Sequence, residues 1–131
     1  MRYIVLAGRV LFVLIFIFAA PRHFSHEGIQ HAADLGTPVA GILVPLSGVM
    51  AILGGLSVAI GYKARWGAWL LVAFLVPVTL VMHSFWRVGD PALHRVQVAM
   101  FSKNLSMLGA ALLLTQFGAG PLSVDEKEER S

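Results

Sequence analysis

The sequence predicts an all-α membrane protein: a transmembrane four-helix bundle with a short interfacial helix in the first loop. Hydrophobic residues make up 57% of the 131 residues and charged residues only 13%, about half the charge that covers a soluble domain. Four apolar stretches also reach the length of about 20 residues that a helix needs to cross a bilayer. Backbone groups inside lipid find partners only within the chain, so each stretch is predicted to be helical.

The predicted helices cover residues 3–20, 39–60, 66–86 and 98–117 of a single domain, residues 1–131. In the first loop, Ser25 is a suitable N-cap for a short helix lying in the membrane interface. A tight turn at residues 61–65 makes the second and third helices antiparallel neighbours. The charged tail, residues 121–131, is predicted to be disordered.

The distribution of charged residues argues against nucleic-acid binding and predicts how the chain is oriented in the membrane. The net charge is +3, but the basic residues are scattered at the ends of the apolar stretches, so no nucleic-acid partner is predicted. Arg9 lies within the first stretch, where snorkelling to the head groups explains it. The asymmetry of Lys and Arg between the two sides favours both termini in the cytoplasm. The chain has no cysteine, which excludes disulfides and thiolate metal sites.

Small residues at four-residue spacing predict which helix faces pack together, because helices in lipid associate where their backbones approach closely. The second helix carries one such row and the fourth helix another, and both are interpreted as facing the inside of the bundle. The rows are Ser47, Ala51, Gly55 and Ala59, and Ser102, Ser106 and Ala110.

Polar residues at one end of the bundle form a candidate ligand pocket. The residues are His83, Trp86, Arg87, Lys103 and Asn104, which the predicted topology brings to the same side. Such a pocket would suit a quinone head group, whose carbonyl oxygens accept hydrogen bonds. The alternative is that Trp86 and Arg87 are interface anchors, Lys103 snorkels, and His83 bonds a neighbouring carbonyl. No catalytic residue is predicted.

The first loop contains a second, weaker candidate. His23, Glu27 and His31 follow one another at four-residue spacing, which on a helix would place three metal ligands on one face. His23, however, precedes the expected cap at Ser25, so helical spacing does not extend to it. A solvated interfacial helix without metal is therefore the favoured interpretation.

Short motifs in a fixed order also resemble a known family. They are Gly8-Arg9-Val10-Leu11, Leu35-Gly36-Thr37-Pro38, Leu53-Gly54-Gly55, His83-Ser84-Phe85-Trp86 and Phe101-Ser102-Lys103-Asn104-Leu105. Their order and spacing are similar to those of the DoxX family of small bacterial membrane proteins. The chain departs from that family at Ala51, where many members carry a glutamate.

The resemblance implies an accessory subunit of a quinone-linked redox system in the bacterial inner membrane. It implies no resident cofactor other than a possible quinone, and it gives the chain no reaction of its own. The expected partners are the lipid bilayer and other membrane protein subunits or further copies of the chain. The alternative is a purely structural membrane partner without a ligand. A small transporter is disfavoured, because the second helix has no ionisable residue and no second half repeats the first.

Overall fold

The computed structural model describes residues 1–131 and contains six α-helices and no strand. Four of the helices are long and apolar enough to cross a membrane. The predicted all-α transmembrane bundle, with a short helix in the first loop, is confirmed. The helices are α1 (Arg2–Ala19), α2 (His26–Asp34), α3 (Ala40–Ile60), α4 (Ala64–Met82), α5 (Pro91–Phe117) and α6 (Val124–Glu129).

The short helix α2 is set by local chemistry. The chain leaves α1 through a 3-10 turn, Ala20–Phe24, and Ser25 then adopts an extended conformation. The Ser25 hydroxyl accepts a hydrogen bond from the Gly28 N–H at 3.0 Å, which satisfies one of the free donors at the start of α2. Glu27 lies in the first turn, where a negative charge is favourable.

Helices α3 and α4 form a tight antiparallel hairpin. Gly61 ends α3 with φ of 73°, and Lys63 precedes α4 with φ of 49°. The two backbones approach closely at glycines: a Cβ added to Gly54 would lie 2.8 Å from the Gly67 carbonyl oxygen, and one added to Gly67 would collide with the Ser57 side chain. Small residues therefore fix where these two helices cross.

The ends of α4 and α5 differ from the sequence prediction. Helix α4 ends at Met82 rather than at 86, and a 3-10 turn follows at Phe85–Arg87. Helix α5 begins at Pro91 rather than at 98, because the Asp90 carboxylate accepts a bond from the Leu93 N–H at 2.9 Å. Capping and a proline at the first helical position extend α5 beyond its apolar stretch.

Helix α4 is the centre of the bundle and packs against both α3 and α5, while α1 packs on α3. The core joins all four long helices and contains Val13, Phe16, Ala51, Val58, Ala68, Leu71, Phe74, Leu75 and Ala111. The small-residue row of α3 faces this core, as predicted. The row of α5 does not: Ser102 and Ser106 are exposed, because α5 lies at the edge of the bundle.

The C-terminal tail is folded onto the bundle, in contrast to the expected disorder over residues 121–131. Gly118 and Gly120 have positive φ and turn the chain back after α5. The Ser123 hydroxyl then accepts the Glu126 N–H at 3.1 Å and begins α6. We call residues 118–129 the C-terminal cap.

Candidate functional site

His83 and Asn104 lie together in the α4–α5 interface. Asn104 is only 4% exposed, and its amide donates to the Thr79 hydroxyl oxygen at 3.0 Å. One turn further along α4, Nδ1 of His83 lies 2.9 Å from Oε1 of Gln97 on α5. Polar bonds of this kind hold helices together where lipid offers no alternative partner. These two predicted site residues therefore join α5 to α4.

Lys103 lies outside that interface. Neighbouring residues on a helix project about 100° apart, so the burial of Asn104 turns Lys103 toward the bilayer, where it is exposed. Its ammonium makes one contact, to the Met100 sulfur at 3.5 Å. A thioether is a weak acceptor. The structure thus separates the lysine from the asparagine with which it was predicted to line a pocket.

Trp86 and Arg87 are exposed on the 3-10 turn that follows α4. The Trp86 ring contacts the rings of Phe85 and Phe101 edge to face, at 5.2 and 6.0 Å between centroids. His94 donates from Nδ1 to the Phe85 carbonyl at 3.0 Å, which ties the turn to α5. An aromatic cluster therefore occupies this end of the bundle, and the five-residue ligand pocket stays a prediction.

The first loop does not assemble the three candidate metal ligands. His23 is turned into the bundle, where its Nδ1 lies 2.9 Å from the Ser47 hydroxyl and its ring contacts Phe74. Glu27 and His31 are exposed on α2. No group of three or more His, Asp or Glu side chains lies close enough to hold a metal ion. The exposed side of this loop is instead a shallow polar groove lined by Arg22, His26, Glu27, Gln30, His31 and Asp34.

Arg9 is the residue whose role the sequence prediction missed. It does not snorkel: it is 4% exposed and points toward the C-terminal cap. Its guanidinium donates to the Ala119 carbonyl at 2.7 Å, the Leu122 carbonyl at 2.8 Å and the Ala59 carbonyl at 3.1 Å. One arginine thus binds α1 to the end of α3 and to the cap. The signal available beforehand was a charge inside an apolar stretch.

Two acidic residues of the cap complete this end of the bundle. The Asp125 carboxylate accepts the backbone N–H groups of Lys63 at 2.7 Å and Ala64 at 3.0 Å, and so caps α4 from a distant part of the chain. Gly61 lets the cap approach, since a Cβ there would collide with Ser123. The Glu126 carboxylate accepts the Leu122 N–H at 2.8 Å.

Comparison with known proteins places the chain in a family. It belongs to the SURF4 family, which it matches over residues 1–130. It is 29% identical over 126 residues to the inner membrane protein YphA of Escherichia coli, covering 95% of this chain and 89% of that protein. It is 31% identical to the ER-derived vesicles protein ERV29 of Saccharomyces cerevisiae and 33% identical to the Surfeit locus protein 4 homolog of Schizosaccharomyces pombe.

Coverage of the relatives is uneven. The chain spans 34% of the length of the Saccharomyces protein and 38% of that of the Schizosaccharomyces protein, although 97% of the chain is matched in each case. No solved structure gives a significant match. The comparisons therefore show an integral membrane protein of the SURF4 family.

Assignment to the DoxX family was wrong, since the matching family is SURF4. Its short motifs correspond to packing requirements of this bundle: Arg9 binds the cap, Gly54 and Gly55 are buried at helix contacts, and Asn104 joins α5 to α4. Such motifs describe how helices pack and do not distinguish one family from another. The quinone-linked redox role rested on that resemblance and has no support from the SURF4 relatives.

The predicted localisation, in the bacterial inner membrane with both termini in the cytoplasm, was also wrong as stated. By their names, the relatives include proteins of ER-derived vesicles as well as bacterial inner membrane proteins. The same arrangement of spans is compatible with both kinds of membrane. The modest bias of basic residues therefore identifies neither the membrane nor the direction of insertion.

Proposed function

We propose that this protein is a non-catalytic membrane partner that binds a second membrane protein through the outer face of α5. The observation that carries the proposal is Lys103, whose ammonium is exposed on a lipid-facing surface with only the Met100 sulfur as a partner. It lies five residues after Val98, where the apolar stretch of α5 begins, or about 7.5 Å along the helix. A lysine costs up to about 2.5–3.5 kcal/mol at the centre of a membrane helix and less nearer the interface, and an acidic partner would offset that cost.

The rest of that face also fits a helix partner. Of the 27 residues of α5, only Asn104, Ala111 and Thr115 are buried. Ser102 and Ser106 are exposed beside Lys103, Gly109 is exposed about one turn beyond Ser106, and a Cβ added to Gly109 would meet nothing within 4 Å. Small residues on the outside of a membrane helix allow another backbone to come close.

The chemistry of the partner follows from the charge of Lys103, which calls for a carboxylate within the membrane. A second copy of the chain does not supply one. All seven acidic residues lie outside α1, α3, α4 and α5, in the loops, in α2 and in the cap. We therefore infer a different membrane protein with Asp or Glu in a spanning helix. The Saccharomyces and E. coli relatives are named for vesicles and membranes and not for a reaction, which agrees with a binding role.

We propose three roles for the five predicted ligand residues in place of a pocket. His83 and Asn104 hold α5 in position, and Trp86 and Arg87 anchor the end of the bundle at the membrane interface. Lys103 binds the partner. We also propose that residues 1–131 form a single transmembrane domain, since the C-terminal cap is bound to α1 and to the turn between α3 and α4.

Site-specific photocrosslinking in native membranes tests this function. A photoreactive residue at Ser106 should yield one main protein adduct, mapped to a spanning helix with an acidic residue, whereas one at Leu11, exposed on α1, should not. Lys103→Met should lower the yield about fivefold to thirtyfold, the effect of about 1–2 kcal/mol in a membrane interface. Lys127→Met, an equal loss of charge in the exposed tail, should leave it unchanged.

Three outcomes would overturn the proposal. Adducts with lipid alone would show that Lys103 snorkels. Adducts between two copies of the chain would replace the heterologous partner by a homo-oligomer. A protein adduct whose yield does not change in Lys103→Met would show that the charge is not used for binding.

A further inference from the structure

A groove on the lipid-facing surface of the α3–α4 hairpin is formed by the close crossing of the two helices. Gly54, Gly67 and Ser57 bring the backbones together, and Ser57 and Gly67 form the floor of the groove. Large side chains on either side make the walls, and the resulting volume is about 520 Å³, within the range of small-ligand sites. The lining residues are Leu53, Ser57, Tyr62, Lys63, Trp66, Gly67, Trp69 and Leu70.

The groove is apolar along its length and cationic at one end. Its one hydroxyl on the floor, that of Ser57, already donates to the Tyr62 carbonyl at 2.6 Å. At the mouth, the Lys63 ammonium lies 5.6 Å from the centre of the Tyr62 ring. Trp66 is 74% exposed and Trp69 is 47% exposed, so no part of the chain covers the walls.

The mouth lies at the level of the lipid head groups. Tyr62 and Lys63 are in the turn where α3 and α4 leave the membrane, and Trp66 follows within the first turn of α4. Aromatic rings with a polar edge and basic side chains are characteristic of this depth. The polarity of the groove therefore runs in the same direction as that of a phospholipid, with the apolar part toward the bilayer centre.

Lys63 has no acidic partner within the chain. The two ion pairs of the structure join Glu126 to Arg2 and to Arg130. The Asp125 carboxylate lies near the turn, but it accepts the backbone N–H groups of Lys63 and Ala64. The ammonium at the mouth therefore remains available to an anionic group from outside.

We propose that this groove binds an anionic glycerophospholipid, with the phosphate at Lys63 and one acyl chain between Leu53 and the two tryptophans. An acyl chain is narrow enough to lie in the groove above the point where the two helices touch. A partner helix is about 10–12 Å across with its side chains, so it would rest on the tryptophan rings without reaching the floor. The groove should prefer lipids with a net negative charge over zwitterionic lipids such as phosphatidylcholine. A zwitterionic head group carries its own cationic group, which competes with Lys63 for the phosphate.

Tryptophan quenching by brominated lipids tests the site, using the Trp86→Phe variant so that only Trp66 and Trp69 report. The protein is placed in phosphatidylcholine nanodiscs with equal minor fractions of brominated phosphatidylglycerol or brominated phosphatidylcholine. The quenching should show a preference of about fivefold for phosphatidylglycerol, the factor that one lysine contributes near an anionic lipid. Lys63→Gln should abolish the preference, and Lys127→Gln should retain it.

Leu53→Phe provides a second test that leaves the charge in place. Leu53 is 56% exposed, so a larger ring fits there and should fill the groove, lowering quenching by both lipids. Equal quenching by the two lipids in the protein with Lys63 would overturn the proposal, as would a preference that survives Lys63→Gln. If neither brominated lipid quenched the fluorescence of the two tryptophans, the result would show that protein, and not lipid, covers the groove.

Discussion

Replacing Arg9 by leucine should release the C-terminal cap from the bundle. The guanidinium is the buried link between α1 and the cap, through its bonds to the carbonyls of Ala119 and Leu122. A fourth, longer bond reaches the Pro121 carbonyl at 3.4 Å. Leucine has a similar apolar stem but no donor, so the carbonyls would lose their partners without a large change in packing.

The expected loss of stability follows from the two shortest hydrogen bonds of the Arg9 guanidinium. Hydrogen bonds from charged donors contribute about 1.5–3 kcal/mol each, and relief of the desolvation of the buried guanidinium offsets part of the total. We therefore expect Arg9→Leu to lower the free energy of unfolding by about 3 kcal/mol. Arg9→Lys should give an intermediate loss, because one ammonium does not reproduce the planar fork.

Unfolding in mixed micelles, followed by circular dichroism, measures the free-energy change. A labelling experiment measures release of the cap separately: the chain has no cysteine, and Ala119 of the cap is 3% exposed. A single Ala119→Cys should therefore react slowly with a thiol reagent when Arg9 is present and much faster in Arg9→Leu. Arg2→Leu is the matched control on the same helix, since its exposed pair with Glu126 contributes at most about 1 kcal/mol.

An Arg9→Leu protein whose free energy of unfolding is within about 1 kcal/mol of that of the parent, with unchanged labelling of Ala119→Cys, would refute the role of Arg9. Faster labelling in Arg2→Leu than in Arg9→Leu would show instead that the surface ion pair holds the cap.

Two further predictions concern the cap and the α3–α4 crossing. The Leu122 N–H, with Arg130 and Arg2, keeps the pKa of Glu126 below its ordinary value of 4.5. The ionised Glu126 therefore stabilises the folded protein above pH 4.5, and this stabilisation is lost as the pH falls through the lower folded-state pKa. The free energy of unfolding should therefore fall in that acidic range, and Glu126→Gln should remove this part of its pH dependence. Gly67→Ala should destabilise the bundle, because its Cβ would collide with a serine of α3, whereas Gly109→Ala should not. Equal unfolding free energies of the two alanine variants would contradict the close crossing.

Signals that act over a few residues were readable from the sequence. The apolar stretches give four spans because the bilayer sets their length, and Ser25 predicts α2 because its bond reaches only to Gly28. The small-residue row of α3 correctly predicts a packed face. The same reasoning fails for Ser102 and Ser106, because a row of small residues shows that a backbone can approach without showing from which side.

The amino-acid sequence alone therefore determined the class of structure, the number of spans and the position of the interfacial helix. Only the tertiary structure decided which polar groups meet: Arg9 bonds carbonyls 50 to 113 residues away, and Asn104 turns inward while Lys103 turns to the lipid. The physical reason is that apolarity and capping act locally along the chain. The partner of a buried charge, in contrast, depends on how each helix is rotated about its axis and on how the chain closes over the bundle.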